Sequence, residues 1–238
     1  MQLSKRLQAV ADLVTPGSRV ADVGCDHAYT SIYLAENRIS PHLIAMDVNQ
    51  GPIDRAKENI VKYGQESCIE TRRSNGLQML TIGEADTILI AGMGGALTLQ
   101  ILEEELEVVT RVQELVLQPQ SELSKVRSTL AERHFTIIRE NMVREDGKYY
   151  VMMKVLPRED IEERNSFILT EPEHFYYGRL LLEERNEVLY EFLNWELDLN
   201  SSILATLEAE QTDKSFIRRG EIEEKIRRIQ RALNYYTI

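Results

Sequence analysis

Only two cysteines, Cys25 and Cys68, occur in the 238 residues. That is too few for a disulfide framework, and a reduced compartment is the default expectation. The four histidines are scattered and show no metal-ligand spacing, so neither a structural zinc nor any other metal is expected. No apolar run approaches the ~18 residues of a membrane span. The opening Met-Gln-Leu-Ser-Lys-Arg-Leu has no apolar segment behind its two charges, which argues against a secretory signal and for the cytoplasm. Glycine is also missing from a place where it would be informative. The β-branched run Val20 to Val23 ends at Gly24, yet Asp26 stands where the second glycine of a G-x-G-x-x-G turn would be.

What is present suffices for a sizeable core, since 43% of the residues are hydrophobic and 28% charged. The net charge of −11 argues on its face against nucleic acid, but it is unevenly spread. Residues 159–213 carry three basic and fifteen acidic side chains. Residues 214–231 carry seven basic side chains, among them Arg218, Arg219, Lys225, Arg227 and Arg228, against three acidic ones. The average therefore hides one basic stretch near the C-terminus.

Periodicity places a short helix over residues 3–14, where Leu3, Leu7, Val10 and Val14 share a face before Pro16-Gly17. Strand-like runs then alternate with helical ones. The strands are expected at Val20–Val23, Leu43–Asp47, Cys68–Arg72, Asp86–Ala91 and Leu115–Leu117, and they read as five βα repeats. One helix is expected over Ile53–Lys62, after Gly51-Pro52, with Pro52 acceptable in a first turn. Phe135–Arg144 and Tyr149–Leu156 follow as an antiparallel hairpin around Glu145-Asp146-Gly147. The continuous apolar run Ile88-Leu89-Ile90 indicates a sheet covered on both faces. The fold class is therefore α/β, doubly wound, with a seven-stranded sheet. Beyond Pro157 the strands stop. Leu182, Leu189, Phe192, Leu199, Ile203 and Leu207, then Ile222, Ile226, Ile229, Leu233 and Tyr236, recur at coiled-coil-like spacing and predict an antiparallel helical pair. The expected domains are residues 1–157 and 158–238.

The first stretch that carries chemistry is the elbow Gly24-Cys25-Asp26-His27. A negative charge at Asp26 opposes a pyrophosphate, whereas a cofactor with a cationic or zwitterionic end suits it. S-adenosylmethionine has an ammonium group, a sulfonium and no phosphate. Asp26 is equally a candidate cap for the helix that follows. Asp47, at the end of the second strand, stands where an acid commonly accepts from ribose hydroxyls. Ser74-Asn75-Gly76-Leu77 follows the third strand. Asn75 has the donor and acceptor for an adenine edge, although an Asn-Gly turn explains it nearly as well. Ala91-Gly92-Met93-Gly94-Gly95 implies either a close approach to the backbone or tight helix–strand packing, with Met93 a core filler or the wall of a base pocket. Cys25 lies in the cofactor loop rather than on the acceptor side, so covalent catalysis is disfavoured. His27 is a candidate substrate-orienting group or base, with a structural role as the alternative.

Asp22-Val-Gly-Cys-Asp-His-Ala-Tyr29, Ile90-Ala-Gly-Met-Gly-Gly95, Leu117-Gln-Pro-Gln120, Glu145-Asp-Gly-Lys-Tyr-Tyr150 and the opening Leu3-Ser-Lys-Arg-Leu7 resemble the bacterial TrmK family. Its members are class I, S-adenosylmethionine-dependent methyltransferases acting on N1 of adenine 22 in tRNA. The resemblance implies a Rossmann-like catalytic domain with a C-terminal α-helical coiled-coil hairpin. It implies a cofactor site at Gly24, Cys25, Asp26, Tyr29, Asp47, Val48, Asn75, Gly76, Ala91, Gly92 and Met93, and catalytic roles for Asp26 and His27. tRNA contacts are implied at Lys5 and Arg6 and along Arg218, Arg219, Lys225, Arg227 and Arg228. One departure is Ser74-Asn75, where the family pattern has Gly-Asp before Gly-Leu. The target base would have to leave its stack to expose N1. Two rivals remain at this level. One is a methyltransferase for a small molecule or protein whose tail is an oligomerisation device; the other is a non-catalytic cofactor-binding adapter. A monomer is favoured as the oligomeric state, and no membrane association is expected.

Overall fold

The computed structural model describes residues 1–157, 169–208 and 213–237, and the chain divides into two compact units, residues 1–168 and 169–238. The boundary expected at 157/158 falls at the edge of 158–168, which lies outside the described residues.

In the first unit a short helix α1 (Lys5–Ala11) precedes strand β1 (Val20–Val23). There follow α2 (Tyr29–Glu36), β2 (Leu43–Asp47), α3 (Gln50–Lys62), β3 (Ile69–Arg73), β4 (Thr87–Ala91), α4 (Gly95–Glu104) and α5 (Leu106–Val109). β5 (Glu114–Gln118), α6 (Leu123–Glu132), β6 (Thr136–Glu145) and β7 (Lys148–Leu156) complete it. The strands form one seven-stranded sheet in the order β3-β2-β1-β4-β5-β7-β6. β1 to β5 are parallel, and the β6–β7 hairpin adds antiparallel to β5. Strand order reverses between β1 and β4, and at such a switch point an open α/β sheet leaves a crevice at the carboxyl ends of its strands.

The apolar strands alternate between two cores. Ala21, Val23, Ile44, Met46, Ile88 and Ile90 face one side. Val20, Leu43, Ala45 and Leu89 face the other, together with Val10 of α1 and Ile32 of α2. Asp22 falls on the second face and is buried there.

Two expectations for the first unit needed correction. The connection from β3 to β4 holds no helix, so the βα repeats number four rather than five. The Ser74 hydroxyl instead closes a turn, donating to the Gly76 carbonyl and accepting from the Met79 amide, while Leu77 and Leu80 are buried without a helical frame. Helix α3 begins at Gln50, with Gly51-Pro52 inside its first turn. A proline costs no hydrogen bond there, because first-turn amides have no intrahelical acceptor.

In the second unit α7 (Pro172–Tyr177), α8 (Arg179–Glu183), α9 (Glu187–Glu208) and α10 (Asp213–Leu233) are followed by a 3-10 turn at Asn234–Tyr236. α9 and α10 pack on each other. They run antiparallel, since Glu196 pairs with Lys225 at 2.7 Å while Glu208 reaches Arg219 at 4.0 Å. The buried stripe of α9 runs through Leu189, Leu193 and Asn200 rather than through Leu199, which is 43% exposed. At about 100° per residue Leu199 lies some 80° round the helix from Leu189, whereas Asn200 lies about 20° from it. No helix among the described residues is long and apolar enough to cross a membrane.

Candidate active site

The crevice at the switch point is a cleft of about 250 Å³ lined by Asp22, the loop from Gly24 to His27, Tyr29 and Thr30, Ala91 and Gly92, and by Arg6, Leu7 and Gln120. Its floor is the elbow after β1. Gly24 has φ +75°, which favours glycine, and a Cβ there would meet the flexible end of Met93, Cε at 2.2 Å, so a larger residue would also have to displace that side chain. The amides of Gly24 and Cys25 both donate to the Met46 carbonyl, at 2.8 and 2.9 Å. The two donors that a phosphate-binding turn would present are therefore already committed. Asp26 (φ 48°) and Ala28 (φ 57°) then take left-handed backbone, which costs a non-glycine residue of order 1 kcal/mol each. The elbow is held in that shape by Ala28 N–H donating to Cys25 O at 2.7 Å and by Asn59 Nδ2 donating to His27 O at 3.0 Å.

Asp26 does not cap α2, whose cap position is Ala28 with no side-chain hydrogen bond. Its carboxylate is 63% exposed at the cleft mouth, 3.2 Å from Arg55 Nη2 and 3.6 Å from His27 Nε2. The His27 ring stacks on Tyr29, centroids 5.4 Å apart and planes within 12°. Deeper in, Asp22 accepts from Ser31 Oγ at 2.6 Å. Burial pushes its carboxyl up to about 6, the Ser31 hydrogen bond opposes this, and the nearby charge of Asp47 adds to it. The Cys25 thiol is driven well above its ordinary range by burial first and then by Asp22, Asp47 and Asp26. A thiolate nucleophile is unavailable there.

The cleft thus gathers Gly24, Cys25, Asp26, His27, Tyr29, Ala91 and Gly92, but not the whole expected set. Asp47, Val48, Asn75 and Gly76 lie along the same carboxyl edge, at and beyond the paired ends of β2 and β3, without lining it. One oxygen of Asp47 accepts from the Asn49 amide at 2.9 Å. Met93 packs over Gly24 and against the core, so it shapes the elbow rather than walling the cleft. Gly95 answers a packing need, because a Cβ there would stand 2.4 Å from the Ser121 carbonyl.

Arg6, expected on RNA, is found in the cleft, where Nη1 donates to the buried Gln118 at 2.8 Å. Lys5 is exposed, and its amide donates to Glu145 at 2.6 Å. Of the basic stretch, Arg218 pairs with Glu221 at 2.6 Å and Arg227 with Glu224 at 3.1 Å, both well exposed. Lys225 is committed to Glu196, and Arg228 lies 3.4 Å from the centroid of the Tyr176 ring. Asp22, Gln118, Gln120 and Arg55 were not among the candidates read from the sequence. An acid inside a β-branched strand and a Gln-Pro-Gln closing another were the signals for the first three; Arg55 carried none.

A family model for a methyltransferase domain matches residues 3–153. The tRNA (adenine(22)-N(1))-methyltransferase of Bacillus subtilis is 31% identical over 236 residues, covering 99% of this chain and 98% of its own. The crystal structure of the B. subtilis M1A22 tRNA methyltransferase TrmK superposes with a TM-score of 0.83, over 98% of this chain and 99% of that one. Streptococcus pneumoniae Sp1610, solved in complex with S-adenosyl-L-methionine, gives a TM-score of 0.84 at 30% identity, covering 98% of this chain and 100% of that one. M. capricolum TrmK, solved with S-adenosyl-homocysteine, gives 0.82 at 25% identity over 99% of each chain.

Proposed function

Because the chain belongs to the tRNA (adenine(22)-N(1))-methyltransferase family, we propose that it transfers a methyl group from S-adenosylmethionine to N1 of adenine 22 in tRNA, with the following division of labour. Residues 1–157 perform the chemistry and residues 158–238 hold the RNA. The observation that carries the cofactor assignment is the buried Asp22 beside an elbow whose amides are already bonded to Met46. That donor set suits a cation and has little to offer a phosphate.

Asp22 would hold the cofactor's ammonium group. Asp47, with one oxygen used by Asn49, has the other for the ribose. Asn75 would meet the adenine of the cofactor as a hydrogen-bonding, uncharged residue. When bound, S-adenosylmethionine supplies an electrophilic methyl group, and the N1 lone pair of adenine accepts it without prior deprotonation. The chain's contribution is then alignment and electrostatics. Asp26, at the mouth and mostly exposed, serves the acceptor base rather than the cofactor. Positive charge arrives on the adenine as N1 is alkylated, and a carboxylate there stabilises it. The stacked His27–Tyr29 pair gives the extruded base a flat wall.

The C-terminal unit contributes Arg218 and Arg227, whose partners Glu221 and Glu224 are themselves exposed. Exposed pairs of this kind are worth at most about 1 kcal/mol, so a phosphate can displace the glutamate. Lys225 and Arg228 are engaged within the unit and carry less of the RNA contact. A cytoplasmic setting follows from the substrate. Methyl transfer from labelled S-adenosylmethionine to unmodified tRNA, with mapping of the product nucleotide, tests the reading. Incorporation as 1-methyladenosine at position 22 is expected. Turnover only on a small molecule or protein, or binding without turnover, refutes it.

A further inference from the structure

Three segments singled out in the sequence, 3–7, 117–120 and 145–150, have no stated role in the chemistry, yet the fold joins them at one corner of the cleft. Helix α1 packs on β6, and its N-terminus is closed from two sides. Ser4 Oγ accepts from the Leu7 amide at 3.3 Å. The Glu145 carboxylate, at the end of β6, accepts from the Lys5 amide at 2.6 Å and from the Arg6 amide at 3.4 Å. The donors that a helix start leaves without partners are thereby satisfied, and a negative charge sits at the favourable end of the helix.

The residue so anchored is Arg6. Its guanidinium donates to Gln118 Oε1 at 2.8 Å and sits 5.6 Å from the centroid of the Tyr150 ring. It approaches the Gly92 backbone closely enough that a Cβ there would lie 3.4 Å from Nη1. Among the described residues no carboxylate pairs with the Arg6 guanidinium within 4.0 Å, its hydrogen-bond partner being the neutral Gln118, although the chain carries a net charge of −11. A half-buried guanidinium fixed by neutral partners, in a cleft that also holds Asp22 and Asp26, completes the complement of a zwitterion.

We infer that Glu145 is a positioning residue of the cofactor site: by capping α1 it sets Arg6 to bind the α-carboxylate of S-adenosylmethionine. This rests on the cofactor reading above and adds what the β6–β7 hairpin does for it. Asp22 then takes the ammonium and Arg6 the carboxylate of the same amino-acid end.

The test is calorimetric titration of the full chain with two ligands, S-adenosylmethionine and its decarboxylated form, which lacks the anion. For Arg6→Ala, affinity for S-adenosylmethionine falls about 10- to 100-fold. For Glu145→Ala the fall is about 3- to 10-fold, with partial rescue in Glu145→Gln, which keeps one acceptor oxygen. Neither change alters binding of the decarboxylated ligand, and the double variant is no worse than Arg6→Ala alone, since one residue acts through the other. Unchanged affinity in Glu145→Ala overturns the inference. So does an equal loss for both ligands, which would mark a merely structural cap, or a raised KM for tRNA with cofactor affinity intact, which would put the anion on the RNA. Wild-type protein that binds neither ligand refutes the cofactor reading itself.

Discussion

Replacing Asp22 by asparagine removes a charge while keeping the shape of a buried side chain. Burial raises its carboxyl to about 6, above the range of an unfolded chain. Between about pH 4 and pH 6 the folded protein therefore keeps a proton that the unfolded chain has released, and stability of the free protein falls as pH rises through that window. The ionised carboxylate opposes folding by roughly 3 kcal/mol as an upper bound. A bound ammonium offsets that opposition, so cofactor affinity moves the other way. Near pH 5 about a tenth of the sites are ionised, and binding should be about 10-fold weaker than its plateau above pH 7. Asp22→Asn should bind S-adenosylmethionine about 10- to 100-fold more weakly than wild type at pH 7.5, with no dependence between pH 5 and 7. At pH 7.5, where the wild-type carboxylate is ionised, it should melt at an unchanged or higher temperature, because the loss of the charged hydrogen bond from Ser31 is set against relief of the buried charge. Calorimetric titration across pH in buffers of different ionisation heat reads both affinity and proton release. Wild-type affinity in Asp22→Asn, or a pH slope that survives the substitution, would refute the pairing with the ammonium.

Three further outcomes follow from the geometry. Gly24→Ala forces φ +75° on alanine and puts its methyl group on Met93 Cε, so stability should drop by about 2 kcal/mol; adding Met93→Ala should recover only part, and full recovery would show that the backbone is not strained. Lys154 reaches Glu114 at 2.8 Å and the Thr15 hydroxyl at 2.5 Å where all but a tenth of the surface is covered. Lys154→Met should cost about 3–5 kcal/mol in chemical denaturation by leaving the buried Glu114 charge without its cation, although Thr15 and Thr87 still donate to it, and Lys154→Met with Glu114→Gln should cost less; a loss below 1 kcal/mol for the single change would count against a tightly coupled pair. Arg218 and Arg219 changed together to Glu should weaken tRNA binding and flatten its salt dependence with cofactor affinity unchanged, and an unaltered salt slope would return that stretch to a solvated helix face.

Much of the fold was legible because its signals are local. The β-branched and aliphatic strands at 20–23, 43–47 and 87–91 stand within a residue of where alternation and apolar runs place them, and the turn at Asp146-Gly147 joins the hairpin it predicts. The missing helix between β3 and β4 was not legible, because Leu77 and Leu80 are buried by the sheet around them and not by a helical period of their own. The seam of α9 was misplaced for a related reason. Phe192 and Leu199 stand seven residues apart, but so do Leu193 and Asn200, which the helix buries instead; spacing alone does not choose between the two rows, and the polar Asn200 hid the buried one.

At the site, adjacent residues of the sequence pointed to the cofactor class, and the burial of Asp22 then carried it. The absence of a second glycine and the presence of Asp26 are properties of adjacent residues, and their consequence for a phosphate needs no folding to state. Residues adjacent in the chain also marked the elbow itself, since Gly24 to His27 line the cleft in sequence and Tyr29 and Thr30 join them past the buried Ala28. Only the tertiary structure decided which carboxylate is deep and which is at the mouth, because burial of Asp22 is set by α2 and its Ser31. It alone moved Arg6 from a surface charge to the wall of the cleft. That placement depends on a carboxylate 139 residues away closing the start of α1, and no window of sequence contains both ends of such a contact.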